Sequence, residues 1–404
     1  MESGPSNRSG PFDLARLIAP VEVETFTTTY WEREPLVVQG RAASYYDELL
    51  SPADTDHVLM HSSIRSPDVR IVRAGRETPS ERLRADGANL SEGGLEAVYQ
   101  EYRDGSTIVL TFVHERWPPL RRLCQSLASD TSAAAQVNVY ITPPDARGLD
   151  RHYDIHDVFV LQTAGSKRWR VYGSPIRLPL PESRFDPAGD LDPGPVLHDL
   201  TVQPGDLLYI PRGYVHSAAS ADSFSVHLTV GVRPITWASV IGGAVEAVFE
   251  REAALRESLP LGFVGTDGAR EDATARLRDL LATTFEAIGV EEAIEDAYEK
   301  ARAHRQPSLD GHLGDLNAEA GLDIDTRLER RPDTEWLLRN GAEGVSLDFH
   351  GKRMRLPAHT EPAVRFVAET TGPFTGRDLP GSLDAESTLV LLRRLLREGF
   401  VTAR

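Results

Sequence analysis

Between residues 105 and 235 the apolar positions fall in short runs separated by Gly and Pro: 107–112, 136–142, 158–163, 167–172, 206–210 and 224–232. This is the spacing of β-strands, and so many of them with no long helix between predict an antiparallel barrel or sandwich. Upstream, residues 1–10 are rich in Ser, Gly and Pro and predict disorder. Residues 12–18 carry helical spacing, and the segment from Phe26 predicts a helix stopped before Pro35, with a strand at residues 36–38. Tyr30 and Trp31 in that segment are expected in the core and not at a ligand. From about residue 240 the period changes. Val245, Val248 and Phe249, then Leu277, Leu280, Leu281, Phe285 and Ile288, then Ile294, Ala297 and Tyr298, keep the three-four spacing of helices, and residues 306–321 read as a loop. In the last part Val345, Leu347 and Phe349 alternate with polar residues, His350-Gly351 supplies a turn, and Met354 and Leu356 complete a hairpin. Leu389, Leu392 and Leu396 line one face of a helix starting near Ser382. The pattern divides the chain into a barrel-bearing part, residues 1–238, a helical part, 239–327, and a winged-helix-like part, 328–404. The fold class is α+β.

With 404 residues, 40% of them hydrophobic and 26% charged, the chain has the composition of a folded multidomain protein. A total of 61 acidic against 44 basic residues leaves a formal charge of -17, which repels phosphate backbones and anionic membranes and favours a basic partner. No DNA partner is expected. Cys124 is the single cysteine, so the sequence excludes an internal disulfide framework and any multi-cysteine metal site; a bound metal must rest on His and carboxylates. No apolar run approaches the roughly 20 residues of a membrane span, and the first ten residues lack the apolar core of a signal peptide. A cytoplasmic location is expected.

One stretch carries candidate chemistry: His152-Tyr-Asp154-Ile-His156. In a strand, residues i and i+2 share a face, so His152 and Asp154 would present an imidazole and a carboxylate to one point. The segment from Gly205 to His216 reads as turn, strand, turn and strand, and brings His216 opposite them. Two His and one carboxylate leave the remaining positions of an octahedral metal open, the arrangement of non-haem Fe(II) oxygenases. His156 is a rival ligand by parity, but it reads as lying past the strand end. A His-x-Asp alone is commonly a hydrogen-bonded strand end; the downstream His216 gives it weight.

Asn138-Val-Tyr140-Ile-Thr-Pro-Pro, His152-Tyr-Asp154, the run from Val158 to Tyr172 containing Lys167, the segment Gly205 to His216 and Ser225-Val-His227-Leu-Thr229 together resemble the JmjC-type cupin family of ribosomal oxygenases. The dense part of the likeness covers residues 136–236. The resemblance implies a double-stranded β-helix barrel followed by a helical dimerisation domain and a C-terminal winged helix. It implies Fe(II), 2-oxoglutarate and O2 as cofactor and cosubstrates, with His152, Asp154 and His216 on iron. Lys167 falls where the family pairs a basic residue with the distal carboxylate of 2-oxoglutarate; a lysine inside a barrel needs an anion. Asn138, Tyr140 and Thr229 match positions that bind the cosubstrate or line its pocket, whereas each alone would read as structural. His227 and Trp169 share parity with this set and read as pocket lining and core packing.

The implied reaction is hydroxylation of an Arg or His side chain on a ribosomal protein or another polypeptide, by a homodimer with no membrane association. Rival readings are a tailoring hydroxylase of a biosynthetic peptide, N-methyl-lysine demethylation, a small-molecule cupin enzyme, and a non-enzymatic cupin and winged-helix regulator. The basic run Lys352-Arg-Met-Arg355 would serve the last of these, but it reads as a solvated turn. A scaffold would have lost an iron ligand or the basic residue, and every such position is filled.

Overall fold

A computed structural model describes residues 12–62, 68–78, 90–183, 192–220, 222–265, 267–303, 309–332, 334, 336–341 and 344–404. The expectations for residues 1–10 and 306–308 lie outside them. Two compact units are present, Met1–Thr236 and Trp237–Arg404.

In the first unit the strands are β1 (Leu36–Val38), β2 (Val69–Arg73), β3 (Arg76–Thr78), β4 (Thr107–Leu110), β5 (Ala134–Thr142), β6 (Asp157–Gly165), β7 (Lys167–Tyr172), β8 (Val196–Val202), β9 (Leu207–Ile210), β10 (His216–Ala219) and β11 (Ser225–Arg233). An eight-stranded antiparallel sheet runs β1-β9-β6-β11-β5-β4-β2-β3, and a three-stranded sheet runs β10-β7-β8. Central strand β6 is buried on both faces, which is why it reads as a continuous apolar run. Phe159 and Leu161 join the main core under the N-terminal helices, while Val158 and Val160 join Trp169, Val171 and Ile210 in a second core. Period-two geometry therefore sends alternate residues of β6 into two different cores.

The absence of a long helix among the strands is not what the structure shows: Pro118–Thr131 is an α-helix. Its prolines occupy the first turn, where their missing N–H costs nothing, and Leu120, Leu123, Cys124 and Leu127 form its buried stripe. The segment ahead of Pro35 is helical from Val23 to Tyr30, ending in a π-helical turn. Tyr30 and Trp31 pack against the main core, with Trp31 stacked on Tyr209 at 6.1 Å.

The second unit begins with helices Trp237–Arg251, Asp267–Glu286 and Val290–Ala303. Residues 306–321, expected as a loop, contain helix His312–Ala318. That helix is held by polar contacts: buried Asp315 pairs with Arg331 and accepts from Thr402 Oγ1 and the Ala403 amide, both at 3.0 Å. The hairpin of β14 (Gly344–Phe349) and β15 (Lys352–Leu356) turns at His350-Gly351, and β13 (Trp336–Gly341) adds an unexpected third strand. These strands and helices Glu361–Glu369 and Ala385–Arg397 enclose a separate core around Leu347, Phe349, Leu392, Leu396 and Phe400.

Candidate metal centre and its cavity

Alternation along β5 and β11 sends Val137, Val139, Leu228 and Val230 into the main core and leaves Asn138, Tyr140, His227 and Thr229 on the opposite face. The register pairs Thr229 with Asn138 and His227 with Tyr140, so the four stand side by side on one wall of a cavity of about 400 Å³. The Tyr140 and His227 rings stack at 4.9 Å with an 8° interplanar angle. On β7, Lys167 and Trp169 turn inward while Arg168 and Arg170 turn out to Asp199.

His152, Asp154 and His216 meet at this cavity, with one ligand atom of each within 4.8 Å of the others. The pairing of His152 with Asp154 does not come from a regular strand. Residues 153–156 are irregular, and His152 enters only an isolated bridge with His216, whose two backbone hydrogen bonds measure 3.2 and 2.8 Å. The Gly213 amide donates to Asp154 O at 3.0 Å, so the second loop, not a strand, holds the carboxylate-bearing turn. His152 Nδ1 lies 2.7 Å from Asp150 O, and His216 Nδ1 lies 3.0 Å from Tyr214 O. With Nδ1–H donated to a carbonyl, each ring turns Nε2 and its lone pair to the cluster, as metal-ligating histidines do. His216 Nε2 stands 3.6 Å from Asp154 Oδ2. Burial and the neighbouring His152 push His216 down to about 4, which keeps it neutral and able to ligate. Burial alone would raise the Asp154 carboxyl, but the surrounding His156, His152, His216 and Arg233 hold it below its usual range. Two neutral imidazoles and one carboxylate fit a divalent first-row metal with open positions.

Lys167 is 2% exposed, and its Nζ donates to Thr142 Oγ1 at 2.9 Å. Among the described residues no carboxylate pairs with it, and burial pushes its ammonium down to about 7. A buried cation at a cavity wall without a carboxylate partner is a site for an anion. Asn138 Oδ1 accepts from the Phe112 amide at 3.1 Å, and Phe112 holds a left-handed φ of 51° at the cavity wall. Burial raises Tyr140 to about 12, against the opposing effect of Arg70. Arg70, Gln136 and Thr111 also line the cavity and are not singled out by the sequence, Arg70 because it stands on the five-residue strand Val69–Arg73, outside the stretch whose pattern predicts the barrel. His156 lines the cavity too, outside the three-ligand cluster.

Residues 112–240 match the family model of the JmjC domain. The chain is 31% identical over 258 residues to the bifunctional lysine-specific demethylase and histidyl-hydroxylase NO66 of Drosophila persimilis, a match covering 62% of this chain and 37% of that protein. It is 32% identical over 267 residues to human ribosomal oxygenase 1, covering 63% of this chain and 40% of that one. The chain thus spans about two-fifths of the length of these curated relatives. The solved structure of Escherichia coli ribosomal oxygenase YcfD aligns over 95% of this chain and 98% of its own, with a TM-score of 0.52 at 19% identity. The same protein in complex with cobalt and 2-oxoglutarate aligns with a TM-score of 0.51 at 18% identity. These matches define a JmjC-domain protein of cupin fold. Residues 112–240 match a JmjC domain, and the chain is similar to the JmjC ribosomal oxygenases.

Proposed function

We propose that the cavity is the active site of an Fe(II)- and 2-oxoglutarate-dependent oxygenase that hydroxylates an Arg or His side chain of a ribosomal protein or another polypeptide. The observation that carries this reading is a buried lysine with only a hydroxyl partner, in the same cavity as a His-Asp-His cluster. His152, Asp154 and His216 hold the metal. Lys167, steadied by Thr142, takes the distal carboxylate of the cosubstrate, and Asn138, Tyr140 and Thr229 border it. When bound, iron and 2-oxoglutarate activate O2 and deliver one oxygen atom to a C–H bond. The chain supplies placement: the bridged histidines fix the ligand directions, Lys167 fixes the far end of the cosubstrate, and Trp169 and Val158 keep water from the wall between them. The names of the relatives, a histidyl-hydroxylase and a ribosomal oxygenase, support a polypeptide substrate, and a -17 charge favours capture of a basic one.

Residues 239–327 serve as a dimerisation region in this reading. Ile241, Phe249, Leu277, Leu281, Phe285 and Ile294 on its helices are exposed, which supports burial against a second copy. Residues 328–404 serve as a winged-helix module, in which Lys352 and Arg353 are engaged by Glu398 and Asp348 and not left free for DNA. Among the described residues no helix is long and apolar enough to cross a membrane. Incubating the iron-loaded protein with 2-oxoglutarate, O2 and total ribosomal proteins tests the function: one residue gains a single oxygen atom by mass spectrometry, with matching succinate. Succinate formation that no polypeptide stimulates, and no oxygen gained, would favour a small-molecule substrate.

A further inference from the structure

His156 lines the cavity two residues beyond Asp154, yet it does not contribute to the cluster whose ligand atoms gather within 4.8 Å. Its Nδ1 is sealed from solvent without a hydrogen-bond partner. A neutral imidazole carries one N–H, and a sealed N–H without an acceptor is the costlier arrangement, so the proton belongs on Nε2. Nε2 points toward Gly231 on β11. A Cβ built on Gly231 would stand 3.1 Å from Nε2 and 3.3 Å from Cδ2, so any side chain there would crowd the approach to that nitrogen. The φ of Gly231 lies outside the left-handed region, so the glycine provides space and not a special backbone conformation.

Of the lining cations, Arg70 pairs with Glu77 at 3.3 Å and Lys167 faces the cosubstrate site, and the one lining carboxylate among the described residues, Asp154, belongs to the metal cluster. We propose that His156 reads the target side chain, its Nε2–H donating to an acceptor atom of the residue to be oxidised across the gap that Gly231 leaves. The inference rests on the polypeptide-oxygenase reading above and narrows it. The side chain taken carries an acceptor: an imidazole nitrogen, a carboxamide oxygen, a carboxylate or a hydroxyl. Guanidinium and ammonium groups only donate, and here they would meet a donor and, among the described lining residues, no carboxylate outside the metal cluster.

The test uses full-length protein labelled with 15N-histidine and loaded with Zn(II) and 2-oxoglutarate, with the His156 signals identified by their loss in His156→Phe. N-acetyl-histidine N-methylamide, N-acetyl-asparagine N-methylamide and N-acetyl-arginine N-methylamide are added in increasing amounts. His156 is expected as the Nε2–H tautomer, shifted by the first two compounds and at least tenfold less responsive to the third. Gly231→Ala sets a methyl group against the imidazole edge and weakens the response at least tenfold. An Nδ1–H tautomer, an equal response to the arginine compound, no response to any of them, or a response unchanged in Gly231→Ala overturns the proposal. Failure of the underlying reading looks different: Zn(II) or 2-oxoglutarate leaves the His152 and His216 signals unmoved, while His156 is still read directly in the metal-free protein.

Discussion

His152 and His216 exchange a reciprocal pair of backbone hydrogen bonds, His152 N to His216 O at 3.2 Å and His216 N to His152 O at 2.8 Å. Chain pairing, and not a metal, therefore sets the distance between the two imidazoles. Asp154→Ala is accordingly expected to abolish tight Fe(II) binding while shifting the thermal midpoint by no more than about 4 °C. Calorimetric metal titration and a melting curve on the same sample check this, and a collapse of the fold in the variant would count against a preformed site.

The pH dependence of cosubstrate binding follows from Lys167. Burial holds its ammonium at about 7 against an ordinary 10.5, and a bound carboxylate favours the charged form. Binding thus takes up a proton above pH 7, and 2-oxoglutarate affinity is expected to fall as pH rises, by up to about tenfold per unit. The folding term has its own sign. Between about 7 and 10.5 the unfolded chain binds more protons, so this lysine makes the anion-free fold more stable as pH rises through that window, and less stable as pH falls toward 7. Lys167→Arg, charged throughout, flattens the binding profile.

Arg212 and Asp157 clamp the two ligand-bearing loops. Arg212 Nη1 pairs with Asp157 Oδ2 at 2.7 Å, and the Arg212 amide donates to Asp157 Oδ1 at 3.1 Å, with both side chains buried. Arg212 Nη2 reaches Glu32 at 2.6 Å. Arg212→Met leaves a buried carboxylate without its cation and should cost about 3–5 kcal/mol in urea unfolding. Metal affinity should drop about 10–100-fold, since the loops that orient the ligands lose their tie. Adding Asp157→Leu should recover part of the stability and none of the metal affinity.

Leu392 is fully buried in the core of the second unit. Leu392→Ala should cost about 2–5 kcal/mol there. Calorimetric unfolding and metal titration together should show lost stability with unchanged Fe(II) affinity.

How much was legible in advance depends on whether a residue's role is written in local pattern. Lys167 and Trp169 face inward because β7 alternates cleanly, and Asn138, Tyr140 and Thr229 follow the same rule on β5 and β11. His152 and Asp154 were found by a strand argument, although the structure joins them through an irregular turn and an isolated bridge. The helix at 118–131 was missed because its paired prolines look like a break, although its Leu120, Leu123, Cys124 and Leu127 stripe was present. Helix His312–Ala318 and strand Trp336–Gly341 lack an apolar period, and long-range pairing forms them. Arg70 and Gly231 act across strands, and a single chain order does not reveal which residues face each other.

The most direct test of the central claim is anaerobic titration of the Fe(II)-loaded protein with 2-oxoglutarate, read by the visible metal-to-ligand charge-transfer band. The account predicts that the band forms in the wild type, is absent in His152→Ala and Asp154→Ala, and needs at least about tenfold more 2-oxoglutarate in Lys167→Met. A band that forms in either ligand variant, or an unchanged requirement in Lys167→Met, would contradict it.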